Sequence, residues 1–96
     1  MDAKNPMIEK YELIKEIHYI FDNDVPKIKG RIYKILLGAN AQYTWEINYY
    51  CRLANEVTVY TPSAPFADSE TAIQSLLDKY VKRFENAVDW VENENY

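Results

Sequence analysis

From Tyr43 to Leu53 the chain alternates. The odd positions read Tyr43, Trp45, Ile47, Tyr49, Cys51 and Leu53, and the even ones Thr44, Glu46, Asn48, Tyr50 and Arg52. Successive side chains on a strand point to opposite faces. The pattern therefore predicts one strand over 43–53 with a dry odd face and a wet even face. A strand of this kind needs a sheet to sit in and a second layer to cover its dry side. The 96 residues are enough for one such two-layered unit. We read residues 1–96 as a single domain, with 1–5 and about 92–96 frayed.

The flanking segments are read around that strand. Asn5 as N-cap and Pro6 at the first helical position open a helix over 6–22. Its stripe is Met7, Tyr11, Ile14, His18 and Phe21, widened by Leu13, Ile17 and Ile20. Asp22-Asn23-Asp24-Val25-Pro26 ends it. A strand follows over 27–37, with Ile28 and Ile32 on one face and Lys29, Arg31 and Tyr33 on the other. Lys34 then occupies an inward position, which calls for a bulge between Gly30 and Lys34 or for cover on both faces.

Gly38 to Gln42 reads as a hairpin loop, and Ala54-Asn55-Glu56 as a tight turn. Val57 to Thr61 reads as a third strand with Val57 and Val59 inward. After a crossing loop over 61–67, Asp68 or Ser69 caps a second helix. Its stripe is Ile73, Leu76, Leu77, Tyr80, Phe84, Ala87, Val88 and Val91. The expected fold is α+β, in the order α-β-β-β-α: a three-stranded antiparallel meander with two helices packed on one face.

Charge is unevenly spread. Acidic and basic residues balance through Arg83, so the whole excess of −4 falls on Glu85, Asp89, Glu92 and Glu94. Lys27, Lys29, Arg31 and Lys34 form a basic run. On an edge strand, such lysines discourage pairing with other chains.

Little in the chain suggests catalysis. His18 is the sole histidine and Cys51 the sole cysteine. Together they cannot build a structural zinc site, and nothing nearby suggests the base-orienting third group or the electropositive setting that activates a thiol. With Gly30 and Gly38 as its only glycines, the chain has no phosphate-binding glycine loop. We expect no enzyme activity, no cofactor and no metal. One cysteine, no signal-peptide pattern and no apolar run of membrane length point to a cytoplasmic protein.

With Asp68-Ser69-Glu70-Thr71-Ala72 opening its last helix, the α-β-β-β-α order resembles double-stranded RNA-binding domains in topology alone. Those domains place a lysine-rich cluster there, and this segment would repel phosphates. Direct nucleic-acid binding is disfavoured for so acidic a chain.

The wet face of the sheet is the candidate contact surface. Lys29, Arg31, Tyr33, Tyr50, Arg52, Thr58 and Tyr60 are placed on it, and Tyr and Arg are enriched at interface hot spots. Trp90, off the second helix's stripe and set among carboxylates, is a further candidate. The expectation is a protein–protein interaction module: a small adaptor, regulator or assembly factor with an unidentified protein partner, or a homodimer. An alternative is an acidic inhibitor that imitates nucleic acid. Small, acidic, tyrosine-bearing α+β proteins of anti-CRISPR type are similar in size and character.

Overall fold

In the computed structural model, residues 4–22, 24–38, 42–62 and 66–96 are described. In chain order the elements are β1 (Tyr11–Tyr19), β2 (Ile28–Ile35), β3 (Gln42–Ile47), β4 (Tyr49–Leu53), β5 (Phe66–Ala67), α1 (Glu70–Lys82), a 3-10 turn (Arg83–Asn86) and β6 (Ala87–Glu92). The fold is α+β with an antiparallel sheet and one helix. The main sheet runs β1-β2-β3-β5, and β4 pairs with β6 in a second, two-stranded sheet.

Four corrections to the expected architecture follow. The first helix is absent: 11–19 is strand β1, and nothing helical precedes it among the described residues. Beside its 3.6-residue stripe, this segment also carries apolar or aromatic residues two apart, Tyr11 and Leu13 before its register break and Ile17 and Tyr19 after it. Pairing with β2 along its length outweighs the weak intrinsic preference for helix. The expected register break also falls here, between Leu13 and Lys15, and not in β2. Lys34 holds its inward position opposite Glu12. Because β1 lies outside it, β2 is an interior strand, so its lysines do not guard an edge.

The alternating stretch is two strands. Its odd face is dry as expected: Trp45, Ile47 and Cys51 are buried. At Asn48 the chain leaves the main sheet. The Asn48 side chain accepts from Lys29 N–H at 2.8 Å and donates to the Lys27 carbonyl at 3.0 Å. β4 then pairs with β6.

The expected third strand over 57–61 reduces to one bridge, Cys51 to Tyr60. Val57 is 96% exposed. Glu56 N–H bonds the Leu53 carbonyl at 3.0 Å, closing the turn expected at 54–56.

Finally, α1 stops at Lys82. Ser69 caps it as expected, accepting from Ala72 N–H at 3.1 Å. Ile73, Leu77, Tyr80, Val81 and Phe84 carry its stripe into the core. Ala87, Val88 and Val91 fall in β6, where β-branched side chains are at home. The two loops expected over 38–42 and 61–67 lie partly outside the described residues.

The core sits between α1 and one face of the main sheet, formed by Ile28, Ile32, Trp45, Ile47, Ile73, Leu77 and Phe84. Among the described residues, no helix covers the other face. The molecule is long, 56 × 27 × 21 Å. Its radius of gyration is 15.6 Å, against about 12 Å for a compact chain of this length.

Candidate interaction surface

Alternation fixes which side chains reach the open face. In β2 these are Lys29, Arg31 and Tyr33, since Ile28 and Ile32 are buried under α1. Pairing brings Glu16 and Glu46 opposite Arg31 from β1 and β3, and His18 opposite Lys29.

Arg31 is the centre. Its Nε donates to Glu16 Oε1 at 2.9 Å and its Nη1 to Glu46 Oε1 at 3.3 Å. Tyr33 donates to the same Glu46 oxygen at 2.7 Å. The chain end folds over this row: Tyr96 stacks on Arg31, with the guanidinium carbon 3.9 Å from the ring centre. Its hydroxyl donates to Glu16 Oε1 at 2.9 Å. Asn93 ties the same segment down, from N–H to the Asn48 carbonyl at 2.8 Å and from its side chain to the Ile47 carbonyl at 2.8 Å. Residues read from the sequence as fraying therefore form part of the surface.

Hydrogen bonds from His18, Arg31 and Tyr96 pull the Glu16 carboxyl down to about 2. Burial, then the bond to Glu46, pushes Tyr33 upward. Burial, then the bond to Glu16, pushes Tyr96 upward. Glu16 thus stays ionised and the two phenols stay protonated near neutral pH. The row presents fixed charges and hydrogen-bonding groups, not groups poised to exchange protons.

Beside it lies a concavity of about 420 Å³ lined by Tyr11, Tyr33, Thr44, Trp45 and Glu46. Tyr11 and Tyr33 meet edge to face at 6.1 Å. Beyond the concavity the sheet ends in apolar side chains. Leu36 N–H bonds the Lys10 carbonyl at 2.8 Å, which sets the segment before β1 against the end of β2. Met7, Ile8, Tyr11, Leu13, Leu36 and Leu37 are all exposed there, Ile8 at 82% and Met7 at 69%.

The sequence-predicted residues do not form one surface. Lys29, Arg31 and Tyr33 share the open face. Tyr50, Arg52 and Tyr60 belong to a second cluster around Tyr80 and Arg83. Tyr50 meets the Tyr80 ring edge-on at 6.4 Å, and Tyr60 stacks on it at 6.1 Å. Arg52 donates to the Glu56 carbonyl at 2.9 Å. Arg83 grips Glu56 with both terminal nitrogens, at 2.6 and 3.1 Å, and reaches the Cys51 carbonyl at 3.2 Å. The Arg83 bond holds the Glu56 carboxyl below its ordinary range. This cluster joins the end of α1 to β4. Trp90, opposite Cys51 in β6, packs half-buried against the core.

Sequence reasoning missed Glu16, Tyr11 and Tyr96. Glu16 and Tyr11 were hidden by the helical reading of 6–22. No local pattern marks Tyr96.

Cys51 and His18 lie in different sheets. Cys51 is fully buried, and burial pushes its thiol up. His18 bonds Glu16 at 2.8 Å. No group of three or more His, Cys, Asp or Glu among the described residues could hold a metal ion. No helix among them is long and apolar enough to cross a membrane. Comparison of the chain with protein-family models, curated proteins and solved structures gives no match in any of the three.

Proposed function

We propose that this chain is a non-enzymatic protein–protein interaction module, a small adaptor, regulator or assembly factor. It works through the open sheet face and the apolar end next to it. The observation that carries the reading is that Met7, Ile8, Tyr11, Leu13, Leu36 and Leu37, in segments that the pairing of β1 with β2 brings to one end of the sheet, are all exposed. Contiguous exposed apolar groups rimmed by polar ones mark contact sites. Here the rim is the Arg31 row, whose side chains are held in place before any partner arrives. Preorganised groups lose little entropy on binding.

The test is affinity purification from the native host with mass spectrometry, comparing the wild type with a Met7→Ser, Ile8→Ser, Leu13→Ser triple variant. All three residues are exposed, so the variant should keep its thermal midpoint and lose the partner. An unchanged set of captured proteins sinks the reading.

A second reading has its own support. Glu85, Asp89, Glu92 and Glu94 are all exposed along the last strand and its flanks. A surface of unbalanced carboxylates suits an acidic inhibitor of nucleic-acid-mimic type, acting on a basic effector. Such binding would collapse between low and moderate salt, whereas the apolar contact would not.

A further inference from the structure

We infer that strand β1 pairs antiparallel with β1 of a second copy, about a two-fold axis at Ile17, joining two main sheets into one. The inference rests on the reading above that the chain works through protein contacts, and it names one partner.

The argument starts from what β1 lacks. It is the longest strand, nine residues, yet none of its residues is fully buried. It stands at the edge of the main sheet with one side unpaired. An open edge is a template for a further strand.

The edge is complementary to itself. Around Ile17 the sequence reads Lys15-Glu16-Ile17-His18-Tyr19. In an antiparallel pair centred there, Ile17 faces Ile17 and each Glu16 faces a His18. Each Lys15 faces a Tyr19, whose hydroxyl bonds Asp78 of α1 at 2.6 Å. Lys15 is thus brought to a carboxylate, as it already is within one copy, where it meets Glu70 at 3.5 Å. No like charges oppose one another. Cross-strand pairs of these kinds are what stabilise sheets.

The fold also explains why pairing stops at two. The irregularity between Leu13 and Lys15 ends the regular edge on one side. The sheet's other edge, β5, is two residues long. A sheet with one usable edge gives a closed two-fold dimer and not a fibre.

The test uses the full chain in sedimentation and light scattering across a concentration series. The wild type should weigh twice 11.3 kDa. His18→Glu sets a carboxylate against each Glu16 of the other copy and should weaken association about tenfold; because His18 also bonds Glu16 within one copy, the variant is compared with His18→Ala, which loses that bond without adding the repulsion and should associate more tightly than His18→Glu. Under oxidising conditions Ile17→Cys should form a disulfide-linked dimer and Leu13→Cys should not, because only residue 17 meets itself within bonding distance. A wild type that stays at 11.3 kDa throughout, or equal cross-linking at both positions, overturns the inference. A monomer that still captures a partner through its apolar end overturns the pairing alone. An intact dimer whose captured proteins are unchanged by the Met7→Ser, Ile8→Ser, Leu13→Ser variant overturns the other reading alone.

Discussion

Gly30 lies directly under Leu77. A Cβ built on Gly30 would stand 2.7 and 2.9 Å from the two methyl carbons of Leu77 and 3.3 Å from its Cγ. Leu77 is fully buried and cannot swing into solvent. The missing side chain on β2 is what lets α1 settle on the sheet. Gly30→Ala should therefore cost about 1–3 kcal/mol, the range for overpacking a filled core. Leu77→Ala alone should cost about 2–5 kcal/mol. Urea unfolding of the double variant should show less than the sum of the two, because the cavity left by Leu77 makes room for the methyl.

Tyr80 plays a part that a phenylalanine could not. Its hydroxyl accepts from the buried Cys51 N–H at 3.0 Å and donates to the Tyr60 carbonyl at 2.5 Å. One oxygen stitches α1 to β4 and to the segment beside it. Tyr80→Phe keeps the ring, which packs on Trp45, Tyr50, Tyr60 and Phe84. It leaves the Cys51 N–H without a partner. Denaturation should show a loss of about 1–3 kcal/mol, the cost of an unsatisfied buried donor. The native thiol should also react faster with an alkylating reagent, since the cover over Cys51 loosens.

How legible was this in the sequence? Trp45, Ile47 and Cys51 were assigned to the core by alternation, and they are there. Helical spacing marks Ile73, Leu77, Tyr80 and Phe84, and capping chemistry narrows the helix start to Asp68 or Ser69, of which Ser69 is the cap. These signals are local, so the sequence carries them. What failed depended on partners far away in the chain. Residues 11–19 carry apolar positions compatible with either period, and only the presence of β2 decides between them. Residues 87–92 continue the helical stripe of α1, yet β4 offers a strand partner far earlier in the chain, as in the Cys51–Trp90 pair, whose numbers differ by 39. The Arg31 row needed three strands and the chain end to meet. From the sequence only its β2 members, with Lys29 and Tyr33, could be placed on one face.

Asn48 shows how one polar side chain can redirect a strand. It caps the β2 edge through Lys29 N–H and the Lys27 carbonyl, while its own N–H bonds the Lys29 carbonyl at 3.0 Å. Asn48→Ala removes the two side-chain bonds and leaves the backbone one. The expected loss is about 1–3 kcal/mol, from two hydrogen bonds at about 0.5–1.5 kcal/mol each. Hydrogen exchange gives the sharper readout. The Lys29 amide should exchange faster in the variant, while that of Ile32, buried mid-strand, should change only as much as global stability does.

Glu16 should govern part of the acid response. Its carboxyl is held down to about 2, first by His18, then by Arg31 and Tyr96, against an ordinary value of 4.5. The unfolded chain therefore takes up this proton at a higher pH than the folded one. The stabilising contribution is complete above about 4.5 and is lost as pH falls toward about 2. Glu16→Gln removes that proton from both states. The urea midpoint of the variant should then fall less steeply between pH 5 and 2 than that of the wild type, with the two curves converging at the acid end. Glu56, lowered by Arg83, titrates in the same direction and leaves a residual slope in the variant. That slope should flatten further in a Glu16→Gln, Glu56→Gln double variant. Parallel curves for the wild type and Glu16→Gln would mean that the bonds to Arg31, His18 and Tyr96 are not kept in solution.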